Sequence, residues 1–543
     1  MKNHSCKIFF LVIVLMIGNS LLAQQIPLNQ QVQNRLNELM FEADSSVFSG
    51  FRSMNWLELK QTGVIHKSSL EDSIFGLDQS LKSNVSNSNL IRAVGKNSVF
   101  TIDPYIEAGI LKSSEKNSAL TNFSGGVRMQ GVFNDKFSFN LSVITNFNQY
   151  PSYVDSVIFT KYDRYNITSN KYIIPGANAA TLKNNNRFAY TNFDFNLTYT
   201  PNKYFLVAAG YGKQFLGDGY RSLLLSDNAN NYPYLRLQAR LWKLTYNVLY
   251  NHYTNNFWDE VNGKPQPKYS TVHYLGFSTK KFQVGLFDEV LWLGKDSDFS
   301  RGFDVQYLNP LIFIRPLEFT IGSPDNAMIG FNLKYKIYKN GFIYGQLALD
   351  DINLKKSLDS NKQNYGNKYA LQLGIWNKDI FNVKGLSYRF EWNGVRPYEY
   401  GHGVQGVISL NYTHYYQALT DPFGANFHEF ISMFNYQKNR WYGVLENLYT
   451  IRGENPGLPY NNGEDLWGGE SGVPLYGTKT LQGIKTKYSF NQLTAGYLLN
   501  PANRLSIEMN VAYRSRKSSI VNQSEWLFGI GIKTNLYNFY HDF

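Results

Sequence analysis

The chain has 543 residues, with 53 Lys and Arg against 41 Asp and Glu for a formal charge of +12, 40 Tyr, 38 Phe, 9 Trp and one cysteine. A single cysteine excludes a disulfide framework and a thiolate metal cluster within the chain. After the first two dozen residues no stretch approaches 18 consecutive apolar residues, which excludes an apolar transmembrane helix.

In chain order, residues 1–23 read as an export signal. Lys2 and Lys7 form a basic start, Ile8 to Ile17 is an unbroken apolar run, and "NSLLA" ends at Ala23, although Leu21 is larger than the usual small residue at its position. Cys6 lies ahead of the apolar run, out of place for a lipoprotein box, and is expected to leave with the signal. Losing two lysines and no acid takes the charge from +12 to +10. That balance suits an acidic surface such as lipid phosphate or an acidic polysaccharide; a solvated basic face explains it equally. In residues 24–98, Leu28, Val32, Leu36, Leu39 and Met40 fall at helical spacing, and the Ser/Asn-rich "SLKSNVSNSN" comes after them. Short amphipathic helices are expected there, in the periplasm or packed as a plug at the inner mouth of a barrel.

From residue 99 to 543 the period changes to two. Phe193, Phe195, Leu197 and Tyr199 alternate with Asn192, Asp194, Asn196 and Thr198. Phe331, Leu333, Tyr335 and Ile337 alternate with Asn332, Lys334 and Lys336, and Leu505, Ile507, Met509, Val511 and Tyr513 repeat the pattern. Segments of about ten residues with one apolar face and aromatic ends fit strands with lipid on one side and a polar interior on the other. Very short connections, at 134–136, 202–203, 242–243, 339–341, 377–379 and 501–503, alternate with long ones near 148–186, 214–233, 254–269, 294–326 and 352–366. Asn340-Gly341 is the preferred pair for a two-residue hairpin with positive φ. The fold class expected is all-β: a transmembrane outer-membrane β-barrel of about 18–20 antiparallel strands, short turns periplasmic and long loops extracellular. The rims cannot be assigned between 416 and 490. The final Phe543 agrees with the aromatic end common on such barrels.

Catalytic and cofactor patterns fail on inspection. "GYGKQFLGDGYRS" has no Gly-Lys-Ser/Thr at Walker spacing, and Phe215 stands where a dinucleotide fingerprint needs its third glycine. "DSDFSRGFD" at 296–304 resembles a calcium loop but puts Arg301 at the turn glycine and Tyr307 at the closing Glu. The eight histidines show no metal-ligand spacing. His414 with Ser409, and the carboxylates Glu318 and Glu399, are the only groups an enzyme reading could nominate, and Asp350-Asp351 reads as a strand-end pair. No cofactor, no metal and no nucleic acid is expected.

What remains are loops dense in Tyr, Trp, Asn, Asp and Arg. The first carries Asp218, Tyr220, Arg221, Asp227, Asn228, Tyr232, Tyr234 and Arg236. The second carries Arg301, Asp304, Asn309, Arg315, Glu318, Asp325 and Asn326. The third carries Trp392, Arg396, Tyr398 and Glu399. Aromatic faces stack on sugar rings while Arg, Asn and Asp bond hydroxyls or carboxylates, so these are polysaccharide-binding candidates. The alternative is a barrel interior held by Arg–acid pairs.

Three stretches, "GKQFLGDGYRSLLLSDNANNYPYLRL", "NPLIFIRPLEFTIGSPDNAMIGFNLKYKI" and "YRFEWNGVRPYEYGH", resemble the Wzi-type capsule-assembly family, most closely its bacteroidete branch with the gliding-motility protein RemB. The similarity runs from about residue 100 onward, with a weaker match before it. It implies an outer-membrane barrel of about 18 strands with an N-terminal helical part and no catalytic residues. It also implies a surface role holding capsular polysaccharide to the cell or, in the RemB branch, a component connected with gliding. Expected partners are outer-membrane lipid or lipopolysaccharide, a capsular or extracellular polysaccharide, and motility or secretion machinery. The alternatives are a porin-like channel for anions and an enzyme acting on lipid or glycan.

Overall fold

In the computed structural model the alternating segments form a closed wall of eighteen antiparallel strands among the described residues. Those residues are 26–42, 50–55, 58–59, 88–95, 97–164, 171–177, 179–259, 264–295, 302–310, 325–352, 364–402, 410–457, 461–467, 473–474 and 476–543. The first six wall strands are β1 (Ser98–Ser113), β2 (Leu120–Phe133), β3 (Phe137–Asn148), β4 (Arg187–Asn202), β5 (Phe205–Gly212) and β6 (Tyr232–Leu241). Next come β7 (Leu244–Asp259), β8 (Lys264–Ser278), β9 (Phe282–Leu293), β10 (Asn326–Tyr338), β11 (Gly341–Ile352) and β12 (Asn367–Lys378). The last six are β13 (Leu386–Val395), β14 (Phe427–Lys438), β15 (Trp441–Glu454), β16 (Ile484–Asn500), β17 (Leu505–Lys517) and β18 (Asn522–Thr534). Each strand pairs with its neighbour in sequence, and β18 pairs back on β1 from Glu107↔Lys533 to Ser113↔Leu527. Closure leaves no open edge, the condition for strands to cross hydrocarbon with their backbone groups satisfied.

The wall keeps the period-two pattern. On β4, Phe193, Leu197 and Tyr199 face out while Asn196 and Thr198 are buried; on β17, Ile507, Met509 and Val511 face out while Ser506 and Arg514 are buried. Tyr204, Trp242, Tyr338, Phe381 and Trp441 are exposed beside the short turns, and Phe123, Tyr369 and Trp526 lie toward the opposite rim. Such girdles are how a barrel marks the two membrane interfaces.

The rims separate by connection length. The short-turn rim carries 134–136, 203–204, 242–243, 279–281, 339–340, 439–440 and 501–504, together with the start of β1 and the end of β18. The other carries the long connections, and the 416–490 region resolves into the Asn439-Arg440 turn on the short side and 455–483 on the long side. Three local expectations change. Residues 254–259 and 264–269 belong to β7 and β8 rather than to a long loop, and 379–385 lengthens the turn placed at 377–379. At 338–341 the central pair is Lys339-Asn340, neither of them at positive φ. Gly341 closes the turn because a Cβ there would run into the Asn377 side chain.

The interior is filled. The long connection between β5 and β6 folds back into the barrel, and its Leu216, Leu223, Leu224 and Leu225 are fully buried against Phe51, Phe287, Met328, Tyr400, Tyr412 and Leu419. Helix α1 (Gln30–Glu42) enters from the short-turn side, burying Val32, Leu36 and Met40, and Phe41 packs with Phe342 and Trp376. Helix α2 (Ser152–Arg164), unanticipated inside the 149–186 connection, packs Tyr153, Val154 and Ile158 against luminal residues. After Thr534 the chain turns inward, so Phe543 lies beside Tyr153 in the lumen, not at the end of a wall strand.

Candidate functional site

The first set of loop residues lies inside the barrel, where their polar atoms meet other parts of the chain. Asp218 accepts from Arg52 at 2.6 Å and Lys334 at 2.7 Å. Burial alone would raise its carboxyl, but Lys334 and Arg52 hold it below its ordinary value. Arg221 faces Asp542 at 3.1 Å, Glu429 at 3.2 Å and Asp421 at 3.5 Å. Burial would lower its guanidinium, yet these carboxylates keep it well above normal. The backbone N–H groups of Tyr220 and Arg221 donate to Glu391, and the Tyr220 hydroxyl lies 2.7 Å from Asp542 and 2.9 Å from Glu446, with one proton to share between them. Asp227 accepts from Tyr540 and Asn538, Asn228 donates to the Ala418 carbonyl, and the Tyr232 ring meets Tyr253 and His414. Tyr234 receives the Asn196 amide. Arg236 stacks on Phe51 and donates to Ser53, Asn247 and Glu58, clamping the N-terminal segment. These residues are buried, so the expected outward loop contact gives way to an interior network; the four leucines beside them carry the loop inward.

The other candidates scatter. Asp325 accepts from Tyr307, and Asn326 donates to the Leu410 carbonyl at 2.9 Å. Asp304 caps the turn Val305–Leu308, and Asn309 accepts from His273. Trp392 lies on the outer face of β13, stacked on His428, while Glu391 and Asn393 on either side point inward; strand alternation explains its departure from the loop expected. Arg396 donates to Asn367 and Thr478 near the long-connection rim, Tyr398 donates to Asn461, and Glu399 is fully buried. Arg301, Arg315, Glu318, Ser409 and most of the calcium-like stretch lie outside the described residues.

His414 gives no positive sign of catalysis. Its Nδ1 accepts from the Thr254 N–H at 2.9 Å and its Nε2 lies 3.1 Å from the Asn231 carbonyl. Burial pushes it down to about 3, so the ring is neutral and occupied. Asp350 is buried and accepts from the Tyr400 N–H. Among the described residues no group of three His, Cys, Asp or Glu is placed to hold a metal.

A cavity of about 290 Å³ lies over this filled interior, at the end of the barrel that carries the long connections. Arg452 of β15, Tyr488 of β16, and Arg514 and Arg516 of β17 line its wall side. Tyr153 of α2 and Phe423 and Trp467 of the long connections close it from inside. Arg452 pairs with Glu464 at 2.7 Å and Arg516 with Glu454 at 2.9 Å. Tyr488 donates to Glu454, and the Arg514 guanidinium lies 4.5 Å from the Tyr153 ring centre and 5.7 Å from that of Tyr488. Such packing fixes the planar groups before any ligand arrives. None of these residues is among the sequence candidates: the arginines and Tyr488 sit on strands and Tyr153 on a helix rather than in polar loops, and Phe423 and Trp467 come from connections outside the three candidate stretches. The available signal was "YRSR": Arg514 and Arg516 two apart, on one face of a strand reaching the rim.

No protein-family model matches the sequence, and no curated protein does. Among solved structures, Wzi of Escherichia coli aligns over 94% of this chain and 100% of its own, with 12% identity and a TM-score of 0.55. The fold is that of a Wzi-like outer-membrane barrel. Escherichia coli Wzi itself is described as a carbohydrate-binding β-barrel involved in group 1 capsule assembly. Pseudomonas aeruginosa OprD (TM-score 0.41, 9% identity, 81% of this chain and 95% of that one) and OpdK with vanillate (0.42, 9%, 80% and 97%) are more distant.

Proposed function

We propose that this Wzi-like barrel is a non-catalytic surface protein whose long-connection rim faces outward and binds an extracellular or capsular polysaccharide, anchoring it to the cell. The observation that carries this reading is the rim cavity, in which Tyr153, Tyr488, Trp467 and Phe423 stand beside three arginines. Aromatic faces suit sugar rings, and fixed guanidinium groups suit their oxygens. The packed lumen supports a rim site, since Asp218, Tyr220, Arg221, Asp227, Asn228, Tyr232 and Arg236 of the inward-folded loop are buried. Carbohydrate binding by the Escherichia coli barrel adds support, and resemblance to the RemB branch extends the reading to surfaces used in gliding. The test is a deletion strain with plasmid complementation, scored for polysaccharide retained on washed cells and for spreading. Loss of retention, restored by the plasmid, is expected; normal retention and normal spreading would defeat the proposal. Steady conductance of the purified full chain in planar bilayers would instead favour a channel for anionic solutes.

A further inference from the structure

The outer face of the wall changes character in layers along β15–β18, and strand register places the layers. Leu445, Leu493, Val511 and Phe528 stand side by side across the four strands, all exposed. One step toward the long-connection rim come Asn447, Asn491, Tyr513 and Trp526, the last two with ring centres 4.9 Å apart. The next row is Tyr449, Ser489, Ser515 and Ser524, and the one after it Ile451, Lys487, Lys517 and Asn522. Lys485 follows on β16, and all three lysines are exposed. Aliphatic, aromatic, hydroxyl and ammonium rows in that order match a bilayer passing from hydrocarbon to headgroups. From Tyr513 to Lys517, at about 3.4 Å per residue and a tilt of about 45°, the ammonium row stands about 10 Å beyond the girdle.

Lys487 and Lys517 face each other across β16 and β17. Residues so placed have Cβ atoms about 4.5–5.5 Å apart, and like charges there repel. The neighbouring acids do not offset them, since Glu454 turns inward to Arg516 and Glu525 inward to Ser113. Ile451 and Asn522, which flank the pair in its row, are uncharged. A phosphate between the two ammonium groups converts the repulsion into a clamp, with the Ser489 and Ser515 hydroxyls one row below it. The long lysine stems can follow a headgroup up or down the wall.

We propose that Lys487 and Lys517 hold a phosphate group of an outer-leaflet glycolipid against the outside of the barrel, with Lys485 as a third cation. The phosphate is lipid-borne because the pair faces away from the lumen and stands above the aromatic and aliphatic rows that acyl chains would cover. The site is independent of what the rim cavity binds and needs only that this rim face outward.

The test is thermophoretic titration of the full chain in nonionic detergent with diphosphoryl lipid A, with the same lipid stripped of its phosphates, and with inorganic phosphate. The phosphorylated lipid is expected to bind about tenfold or more tighter than the stripped one. Inorganic phosphate in the millimolar range, at constant ionic strength, should not displace it. Lys487→Gln combined with Lys517→Gln should weaken the phosphorylated lipid by about tenfold or more and spare the stripped one. Lys487→Arg combined with Lys517→Arg should keep most of the affinity, because both charges remain. Lys203→Gln combined with Lys281→Gln removes the same charge from exposed positions at the short-turn rim and should change nothing. No binding of the phosphorylated lipid, equal affinity for the two lipids, displacement by inorganic phosphate, or an equal loss from the short-turn pair would overturn the proposal. Detergent presents the whole outer face to the probe, so failure here is distinct from an inverted barrel, which surface labelling detects, and from a failure to retain polysaccharide on cells.

Discussion

Asp218 illustrates how a charged side chain can occupy the middle of a barrel. One carboxylate is shared by Arg52 from the N-terminal segment and Lys334 from β10, so three parts of the chain meet at a single ion group. Asp218→Asn leaves two buried cations without their counter-charge, for which about 3–5 kcal/mol is the expected cost. Because the folded carboxyl titrates below the unfolded value near about 4, its contribution is fully present above that value and lost as the pH falls through the lower, folded one. The gap between wild type and Asp218→Asn, measured as the midpoint of heat-induced unfolding in detergent, should be wide at pH 7 and close in strong acid. A gap independent of pH would refute the assignment. The sequence located these polar residues but not their direction. A Tyr-, Arg- and Asp-rich loop reads the same whether it extends into solvent or folds inward. The deciding partners of Arg221, namely Glu429 and Asp542, lie more than 200 residues away in sequence.

Strands were legible because alternation is a local property: each residue needs only to face lipid or interior, and the choice recurs every second position. The luminal loop was not, since its burial depends on how its leucines fit a wall made elsewhere. Gly330 on β10 shows that dependence. A Cβ at this position would collide with Leu224 and press on Phe287 and the Leu347 carbonyl, so the wall is kept smooth where the loop docks. Gly330→Ala is expected to destabilise by about 1–3 kcal/mol through overpacking. Leu224→Ala alone should cost about 2–5 kcal/mol as a cavity. The double variant should cost less than the sum of the two, because the added methyl enters space the leucine vacates. Unfolding midpoints of the four proteins check this; strict additivity would mean that loop and wall do not touch there. Helix α2 escaped notice for a related reason. Its apolar residues are interrupted by polar ones, and the helix faces luminal packing on one side and the rim cavity on the other.

At the scale of the molecule, the orientation in the membrane decides whether the rim cavity can meet a polysaccharide at all. An even number of strands puts the entry to β1 and the exit from β18 at the short-turn rim, and the long connections at the other. Cys6 is the only cysteine in the sequence, so with Cys6→Ser as the background single cysteine substitutions report position cleanly. Ile520, in the turn between β17 and β18, is 68% exposed on the cavity's rim; Trp242, in a short turn, is 75% exposed on the other. Leu225 is fully buried in the luminal loop. With a membrane-impermeant maleimide, Ile520→Cys should label on intact cells and Trp242→Cys only after the outer membrane is permeabilised. Leu225→Cys should stay unlabelled in both conditions, because the loop that carries it is packed inside the barrel rather than displayed above it. Labelling of Trp242→Cys alone on intact cells would invert the barrel and place the arginine-lined cavity in the periplasm. Rapid labelling of Leu225→Cys from outside would mean instead that the plug opens to solvent, and a bore through the lumen would again have to carry the function.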